Sequence, residues 1–351
     1  MATRYVEEHV TLSAPVAVPP APLSVPDEFA ARRETLGRRL PEAEIRAYEP
    51  LIEQILRRKR ERNAVILAHN YQTPEIFHGV ADIQGDSLGL ARDGARTDAD
   101  VIVMAGVHFM AETAKLLSPD KTVLIPDLEA GCSLASSITA ADVERLRDEH
   151  PGVPVVTYVN TSASVKAASD ICCTSSNAVE VVESLGTERV IFLPDEHLGR
   201  YVARQTDVDV IVWAGACEVH ERFTGAEVRD ARASWPGVEV MAHPECPTDV
   251  LDEADYVGST SGMIAHVGAS DARRVAMITE CSMADNVAFA HPDVEFVAPC
   301  NLCPHMKRIS LEKILAALDR LEPTVEISED VAEPARRAVE RMLAVGRGAG
   351  G

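Results

Sequence analysis

Three cysteines recur along the chain at nearly equal intervals, and this spacing limits the possible folds more than any other feature of the sequence. Cys132 and Cys217 are 85 residues apart, and Cys217 and Cys303 are 86 residues apart. A fixed period of this kind is typical of repeated structural units. The spacing therefore predicts three similar units, each of which directs one cysteine toward a common centre.

A second set of polar residues repeats with almost the same period. In each unit the first predicted strand runs directly into polar side chains, and these strand ends are 89 and 85 residues apart. Ligands of open α/β sheets bind beyond the carboxyl ends of the strands. We therefore expect a shared site built from three segments: His69-Asn70-Tyr71, Tyr158-Val159-Asn160 and His243-Pro244-Glu245.

Short apolar runs alternate with helix-like segments over most of the chain. The runs are rich in β-branched residues and do not alternate with polar residues, which is typical of parallel strands covered on both faces. Strand–helix alternation predicts an α/β fold. The predicted strands are Val65–Ala68, Val101–Ala105, Val123–Ile125, Val155–Val159, Val190–Leu193, Val210–Trp213, Val238–Ala242, Tyr256–Val257, Val275–Ile278 and Glu295–Ala298.

The predicted boundaries follow from these patterns. Residues 1–27 are rich in Pro, Ala and Val without a strand or helix period, and we expect a disordered tail. The three α/β domains are expected over 28–135, 136–221 and 222–303. The segment 304–345 is expected to form helices that pack on the first domain, one capped by Ser310 and a later one starting after Glu333-Pro334.

Charge and hydropathy exclude two classes of partner. The chain carries 34 Lys and Arg against 55 Asp and Glu, a net charge of −21, and such a field disfavours nucleic acid. No apolar run reaches the length of about 18 residues that a membrane helix needs, and no signal-peptide pattern opens the chain. We therefore expect a cytoplasmic protein with no membrane partner. Cysteines clustered in that compartment favour metal or redox chemistry.

The cysteine trio leaves three interpretations open on spacing alone. Three thiolates could hold a [4Fe–4S] cluster that has one iron without a protein ligand. A zinc site with His220 as fourth ligand is the second interpretation, and buried thiols without a metal are the third. The Cys300-x₂-Cys303 spacing also allows a regulatory disulfide.

Nine motifs, in order from Val65 to Met306, resemble the quinolinate synthase family. Each motif alone is common, but the ordered set is specific. The motifs are Ala68-His69-Asn70-Tyr71-Gln72, Gly85-Asp86-Ser87-Leu88, Glu129-Ala130-Gly131-Cys132, Tyr158-Val159-Asn160-Thr161-Ser162, Thr174-Ser175-Ser176-Asn177, Cys217-Glu218-Val219-His220, His243-Pro244-Glu245, Gly258-Ser259-Thr260-Ser261-Gly262 and Cys303-Pro304-His305-Met306.

This resemblance implies an enzyme of NAD biosynthesis with three pseudo-symmetric α/β/α domains around one active site. It implies the condensation of iminoaspartate with dihydroxyacetone phosphate to quinolinate, phosphate and water. The cluster ligands of the family carry over to Cys132, Cys217 and Cys303, with one [4Fe–4S] cluster per chain. The unstable iminoaspartate also implies transient contact with the enzyme that supplies it.

The resemblance also assigns substrate and catalytic residues. We expect Glu245 to be the general base, with a pKa raised by partial burial, and His220 to move protons or orient the substrate. Tyr71 and His69 are expected to assist proton transfer. The expected substrate-binding residues are His69, Ser87, Tyr158, Asn160, Ser175, His243, Glu245, Ser259 and Thr260.

Two other functions compete with this interpretation. Another [4Fe–4S] hydro-lyase acting on a small carboxylic acid would share the open iron but would not require phosphate. A zinc-stabilised or redox-sensing binding protein would not need the polar strand ends.

Overall fold

The computed structural model describes residues 24–345, and within this range the strands form three sheets of four. Residues 1–23 of the predicted tail lie outside the described residues. The rest of that prediction is wrong from Val25 onward, because the first helix begins there.

The strands are β1 (Ala64–His69), β2 (Ile83–Gly85), β3 (Val101–Ala105), β4 (Thr122–Leu124), β5 (Val155–Tyr158), β6 (Ile171–Cys173), β7 (Arg189–Leu193), β8 (Asp209–Val212), β9 (Glu239–Ala242), β10 (Tyr256–Val257), β11 (Arg274–Ile278) and β12 (Glu295–Val297). The helices are α1 (Val25–Leu36), α2 (Glu42–Glu61), α3 (Pro74–Phe77), α4 (Ser87–Gly94), α5 (His108–Leu117), α6 (Ser133–Ser136), α7 (Ala140–Glu149), α8 (Ala163–Ala167), α9 (Ala178–Ser184), α10 (Glu196–Ala203), α11 (Gly225–Ser234), α12 (Thr248–Leu251), α13 (Thr260–Ala269), α14 (Cys281–Ala290), α15 (Leu311–Arg320) and α16 (Glu329–Ala344). A single 3₁₀ turn, Met306–Arg308, precedes α15.

All three sheets have the same topology. The second strand of each unit lies beside the first, followed by the third and the fourth, so the orders are β2-β1-β3-β4, β6-β5-β7-β8 and β10-β9-β11-β12. Every strand pair in the described part of the chain is parallel. The predicted α/β fold with three similar units is therefore confirmed.

An aspartate occupies the same position in each unit and makes the same contact between the first two strands. It stands directly before the second strand, and its carboxylate accepts a backbone N–H from the first strand. The N···O distances are 2.9 Å for Asp82, 2.7 Å for Asp170 and 2.8 Å for Asp255. These bonds satisfy backbone donors that the short second strands leave unpaired.

The C-terminal helices do not pack on the first unit alone. Helix α15 packs against α2 and β3, as expected, but α16 packs mainly against α8 and β6 of the second unit and also against α5. One hydrophobic core therefore runs through the first two units and these helices, while the third unit has separate clusters. Helix α16 also begins at Glu329 rather than after Pro334, with Ser328 at its N-cap position and two acidic residues, Glu329 and Asp330, in the first turn, where they interact favourably with the helix dipole.

The ten predicted strands are all present, and two strands were missed. These are β2 and β6, which have three residues each and whose composition gives little signal. None of the helices in residues 24–345 combines the length and the apolar character that crossing a bilayer requires.

Candidate active site

A single cavity lies among the carboxyl ends of the three sheets and collects nearly all predicted site residues. Of those residues, only Ser259 does not line it. The predicted residues on its wall are His69, Tyr71, Ser87, Cys132, Tyr158, Asn160, Ser175, Cys217, His220, His243, Glu245, Thr260 and Cys303.

Two histidines stand at the ends of the first strands of units one and three, His69 as the last residue of β1 and His243 directly after β9, and they have the same local geometry. The Nδ1 atom of His69 accepts the backbone N–H of Tyr71 at 3.2 Å, and Nδ1 of His243 accepts that of Glu245 at 3.4 Å. Burial lowers the pKa of His69 to about 4 and that of His243 to about 3. Both rings are therefore neutral at pH 7, and each keeps its proton on Nε2, where it can be donated to a ligand.

A chain of hydrogen bonds links the catalytic candidates of all three units. The hydroxyls of Tyr71 and Thr279 are 2.7 Å apart, and Thr279 Oγ1 is 2.9 Å from Nε2 of His220. Nδ1 of His220 is 2.9 Å from Oε2 of Glu245, whose Oε1 accepts the hydroxyl of Tyr158 at 2.6 Å. The donors are all satisfied in the arrangement in which Nδ1 of His220 donates to Glu245 and Nε2 accepts the hydroxyl of Thr279.

The expected rise in the pKa of Glu245 is wrong. Burial raises this pKa, but His243, His220 and the Tyr158 hydroxyl lower it by more, so the pKa lies below its ordinary value. Since His243 is itself neutral, the direct hydrogen bonds from His220 and Tyr158 stabilise the carboxylate. The neighbouring carboxyl of Asp195 behaves in the opposite way, because burial and the charge of Glu245 hold its pKa well above the usual range.

In each unit, one residue with a hydroxyl group follows the second strand and lines the cavity. Ser87 and Thr260 are the first residues of α4 and α13, and Ser175 lies in the turn before α9. The helix caps are their predecessors Asp86 and Ser259, which accept backbone N–H groups three residues ahead. The hydroxyls of Ser87 and Thr260 are therefore not used as caps, whereas Ser259 is, and this explains its absence from the cavity wall.

The three cysteine thiols face the same cavity. Cys132, Cys217 and Cys303 are partly exposed to it and form no disulfide. Burial raises the pKa of all three thiols, to about 12 for Cys132. A metal centre bound here must displace their protons, as is usual for thiolate ligands.

The thiols are not arranged around a single ion. Among residues 24–345, one group of three potential metal ligands has all its ligand atoms within 4.8 Å of one another. It consists of Cys217, His220 and Glu245. Tetrahedral zinc with Zn–S bonds of about 2.3 Å would bring its sulfur ligands within about 4 Å of one another. The three thiols together do not meet this requirement, which argues against the zinc interpretation with three cysteines.

The remaining cysteines have structural positions. Cys300 forms a disulfide with Cys281, with an S–S distance of 2.20 Å, so the expected Cys300–Cys303 pairing is wrong. Residue Cys281 begins α14 and Cys300 follows β12, and the parallel bridge Glu280↔Asn301 brings these two segments together. Cys172 and Cys173 are buried in β6, as expected for core packing.

The sequence prediction missed Thr279 and Glu280, and it interpreted the segment Asp195-Glu196-His197 as structural. Thr279 and Glu280 directly follow β11, and Asp195 follows β7 after one proline. All three are polar residues at the end of a third strand. The rule that was applied to the first strand of each unit would have identified them as candidates.

This fold and cavity define a class of protein in which a hydrogen-bonded chain of Tyr, Thr, His and Glu side chains lies beside three free thiols. Residues 53–344 match the family described as quinolinate synthetase A protein. The chain is 62% identical over 316 residues to quinolinate synthase from Agrobacterium fabrum, covering 90% of this chain and 92% of that protein. It is 64% identical over 312 residues to quinolinate synthase 2 from Mesorhizobium japonicum, covering 89% and 96% of the two chains.

A third relative, quinolinate synthase from Xylella fastidiosa, is 64% identical over 294 residues, which cover 84% of this chain and 87% of that protein. The chain therefore belongs to the quinolinate synthase family. The resemblance inferred from the nine motifs is confirmed.

Proposed function

We propose that this enzyme condenses iminoaspartate with dihydroxyacetone phosphate to form quinolinate for NAD biosynthesis. The atoms balance when one phosphate and two water molecules are released. The reaction requires proton removal next to a carbonyl or an imine, and it requires oxygen leaving groups to be expelled. The observation that carries this proposal is the hydrogen-bond chain from Tyr71 to Glu245 beside three free thiols.

We assign Cys132, Cys217 and Cys303 as the ligands of one [4Fe–4S] cluster per chain. The donor set fits, because three free thiols face one cavity and do not converge on a single ion. When bound, such a cluster supplies an iron without a protein ligand, which acts as a Lewis acid toward a substrate oxygen.

Glu245 is the proton acceptor in this proposal. Its carboxylate is buried and ionised, and it accepts hydrogen bonds from Tyr158 and His220. A proton taken up at the Tyr71 oxygen can leave through Thr279 and His220 toward Glu245, since each neighbouring pair is within 2.9 Å. The same chain can return the proton to a leaving hydroxyl.

The substrates are anions, and the cavity offers donors for their carboxylate and phosphate groups. Ser87 and Thr260 are the first residues of helices, where hydroxyls and free backbone N–H groups bind anions. The Nε2–H groups of His69 and His243 can donate as well. Asn160 Oδ1 is buried without a hydrogen-bond partner in the described part of the chain, so it can accept from a substrate donor.

Proton transfer by Glu245 is tested with Glu245→Gln. The protein is purified and reconstituted without oxygen, and iron, acid-labile sulfide and quinolinate formation are measured with both substrates. Glu245→Gln is expected to keep about four iron and four sulfide per chain, as one [4Fe–4S] cluster requires, and to lose most turnover. Unchanged turnover would reject the assignment of the base.

A matched control is Glu239→Gln. Glu239 also accepts a hydrogen bond from a histidine, His266, at 2.8 Å, but it does not line the cavity. This variant is expected to keep both the cluster and the turnover. Turnover of a small carboxylic acid without dihydroxyacetone phosphate would instead indicate the alternative hydro-lyase.

The proposal includes a cytoplasmic location and a transient contact with the enzyme that supplies iminoaspartate. Imines hydrolyse in water, so a short transfer distance would limit the loss of this substrate.

A further inference from the structure

The three cysteine-bearing loops are held by one repeated backbone contact. In each unit, a residue shortly after the third strand donates its N–H to the carbonyl of the residue two positions before the cysteine. The bonds are His108 to Ala130 at 2.7 Å, Glu196 to Gly215 at 2.7 Å and Cys281 to Asn301 at 3.1 Å. The three loops therefore leave their sheets in equivalent ways.

The side chain that precedes each N–H donor differs among the units. It is Val107 in the first unit, Asp195 in the second and Glu280 in the third. Glu280 is buried, and its Oε1 accepts the backbone N–H of Cys303 at 3.2 Å, while its Oε2 accepts that of Ser282 at 2.8 Å. In the third unit a buried carboxylate therefore contacts the backbone of the cysteine itself, which the valine of the first unit cannot do.

A lysine completes this contact and extends it to the first unit. Nζ of Lys307 lies 2.8 Å from Oε1 of Glu280. The same ammonium donates to the backbone oxygen of Tyr71 at 2.7 Å and to the hydroxyl of Ser282 at 2.8 Å. These three partners use the full donor capacity of an ammonium group.

We infer that Glu280 and Lys307 form a positioning pair that holds Cys303 in register with the Tyr71 segment. This inference rests on the proposed function, in which Cys303 is a cluster ligand and Tyr71 moves protons. The pair joins the metal side of the cavity to its substrate side across two units. Neither residue lines the cavity, so neither is placed to contact substrate.

The two charges depend on each other. The Glu280 side chain is fully buried, and Nζ of Lys307 lies 2.8 Å from its Oε1. Removing one partner of a buried pair leaves an uncompensated charge, whereas removing both can be nearly neutral. Single substitutions are therefore expected to loosen the Cys303 loop more than the double substitution does.

The test measures how firmly the reconstituted holoenzyme holds its iron. Wild type, Glu280→Gln, Lys307→Met and the double variant are exposed to an iron chelator without oxygen, and the loss of the cluster absorbance is followed. Each single variant is expected to lose its cluster at least tenfold faster than wild type, and the double variant is expected to recover part of this loss. Lys307→Arg, which keeps the charge, is expected to stay within about threefold of wild type.

A matched control separates positioning from general stability. Lys59 is a buried lysine of the first unit that also pairs with a carboxylate, since its Nζ lies 2.6 Å from Asp82, and it does not line the cavity. Lys59→Met is expected to lower the melting temperature at least as much as Lys307→Met without accelerating iron loss. Equal acceleration by Lys59→Met, or wild-type rates in both Glu280→Gln and Lys307→Met, would overturn the inference.

Cluster uptake by the wild-type protein separates failure of the proposed function from failure of this inference. A wild type that takes up no iron and sulfide would overturn the proposed function, and the inference with it. If the wild type holds a cluster and the variants lose iron at the wild-type rate, only the inference is overturned.

Discussion

The hydroxyl of Thr279 is the link whose removal tests the hydrogen-bond chain most directly. It is fully buried and lies 2.7 Å from the Tyr71 hydroxyl and 2.9 Å from Nε2 of His220. Thr279→Val keeps the shape of the side chain and leaves both partners without their hydrogen bond. Each unsatisfied buried partner costs about 1–3 kcal/mol.

We expect most of this loss to appear in the transition state, because the chain moves protons only during the reaction. A fall of about 100-fold in kcat corresponds to about 2.7 kcal/mol. Thr279 does not line the cavity, so KM for dihydroxyacetone phosphate should change by less than about threefold. The assay is quinolinate formation by the reconstituted enzyme without oxygen, with iron content measured on the same sample.

Two variants control this experiment. Thr279→Ser restores a hydroxyl and is expected to recover most of the turnover. Thr113→Val removes another buried hydroxyl, one that donates to the backbone oxygen of Phe109 at 2.8 Å, and is expected to leave kcat within about threefold. If Thr279→Val turns over within twofold of wild type while holding full iron, the chain does not carry protons and the reasoning is refuted.

Two further predictions concern pH and the role of a helix cap. Burial lowers the pKa of His78 to about 4, so between pH 6.5 and pH 4 the unfolded chain binds more protons than the folded chain does, and the free energy of unfolding should fall as the pH falls. Urea unfolding of His78→Gln at several pH values is expected to show a smaller dependence of this free energy on pH. An unchanged dependence would contradict the lowered pKa of His78. Ser259→Ala removes the cap of α13 and should cost about 1 kcal/mol of stability without changing KM for dihydroxyacetone phosphate. Thr260→Val, in contrast, should raise this KM. The opposite pattern would show that Ser259, and not Thr260, binds the substrate.

Most of the fold could be predicted from local patterns. Ten of the twelve strands in the described chain coincide with apolar runs, since a buried parallel strand needs a continuous apolar segment. The equal spacing of Cys132, Cys217 and Cys303 indicated three units because each unit repeats one topology. The two missed strands, Ile83–Gly85 and Ile171–Cys173, contain Gln and Gly or two cysteines, so they do not form the β-branched apolar runs by which the other strands were identified.

The sequence by itself determined which chemical groups the site contains and which unit supplies each of them. Strand ends such as His69, Tyr158 and His243 could be assigned to one shared site because each unit repeats the same pattern and ligands bind beyond the carboxyl ends of its strands. This reasoning needs only the order of residues within each unit.

Only the tertiary structure decided how those groups act on one another. Glu245 is buried, and burial alone predicts a raised pKa, yet hydrogen bonds from Tyr158 and His220, residues of the second unit, lower it. The contacts of Thr279 and Lys307 with the Tyr71 segment likewise join residues more than 200 positions apart. Electrostatic and hydrogen-bond energies depend on distances of a few ångströms between units, and no local pattern in the chain encodes those distances.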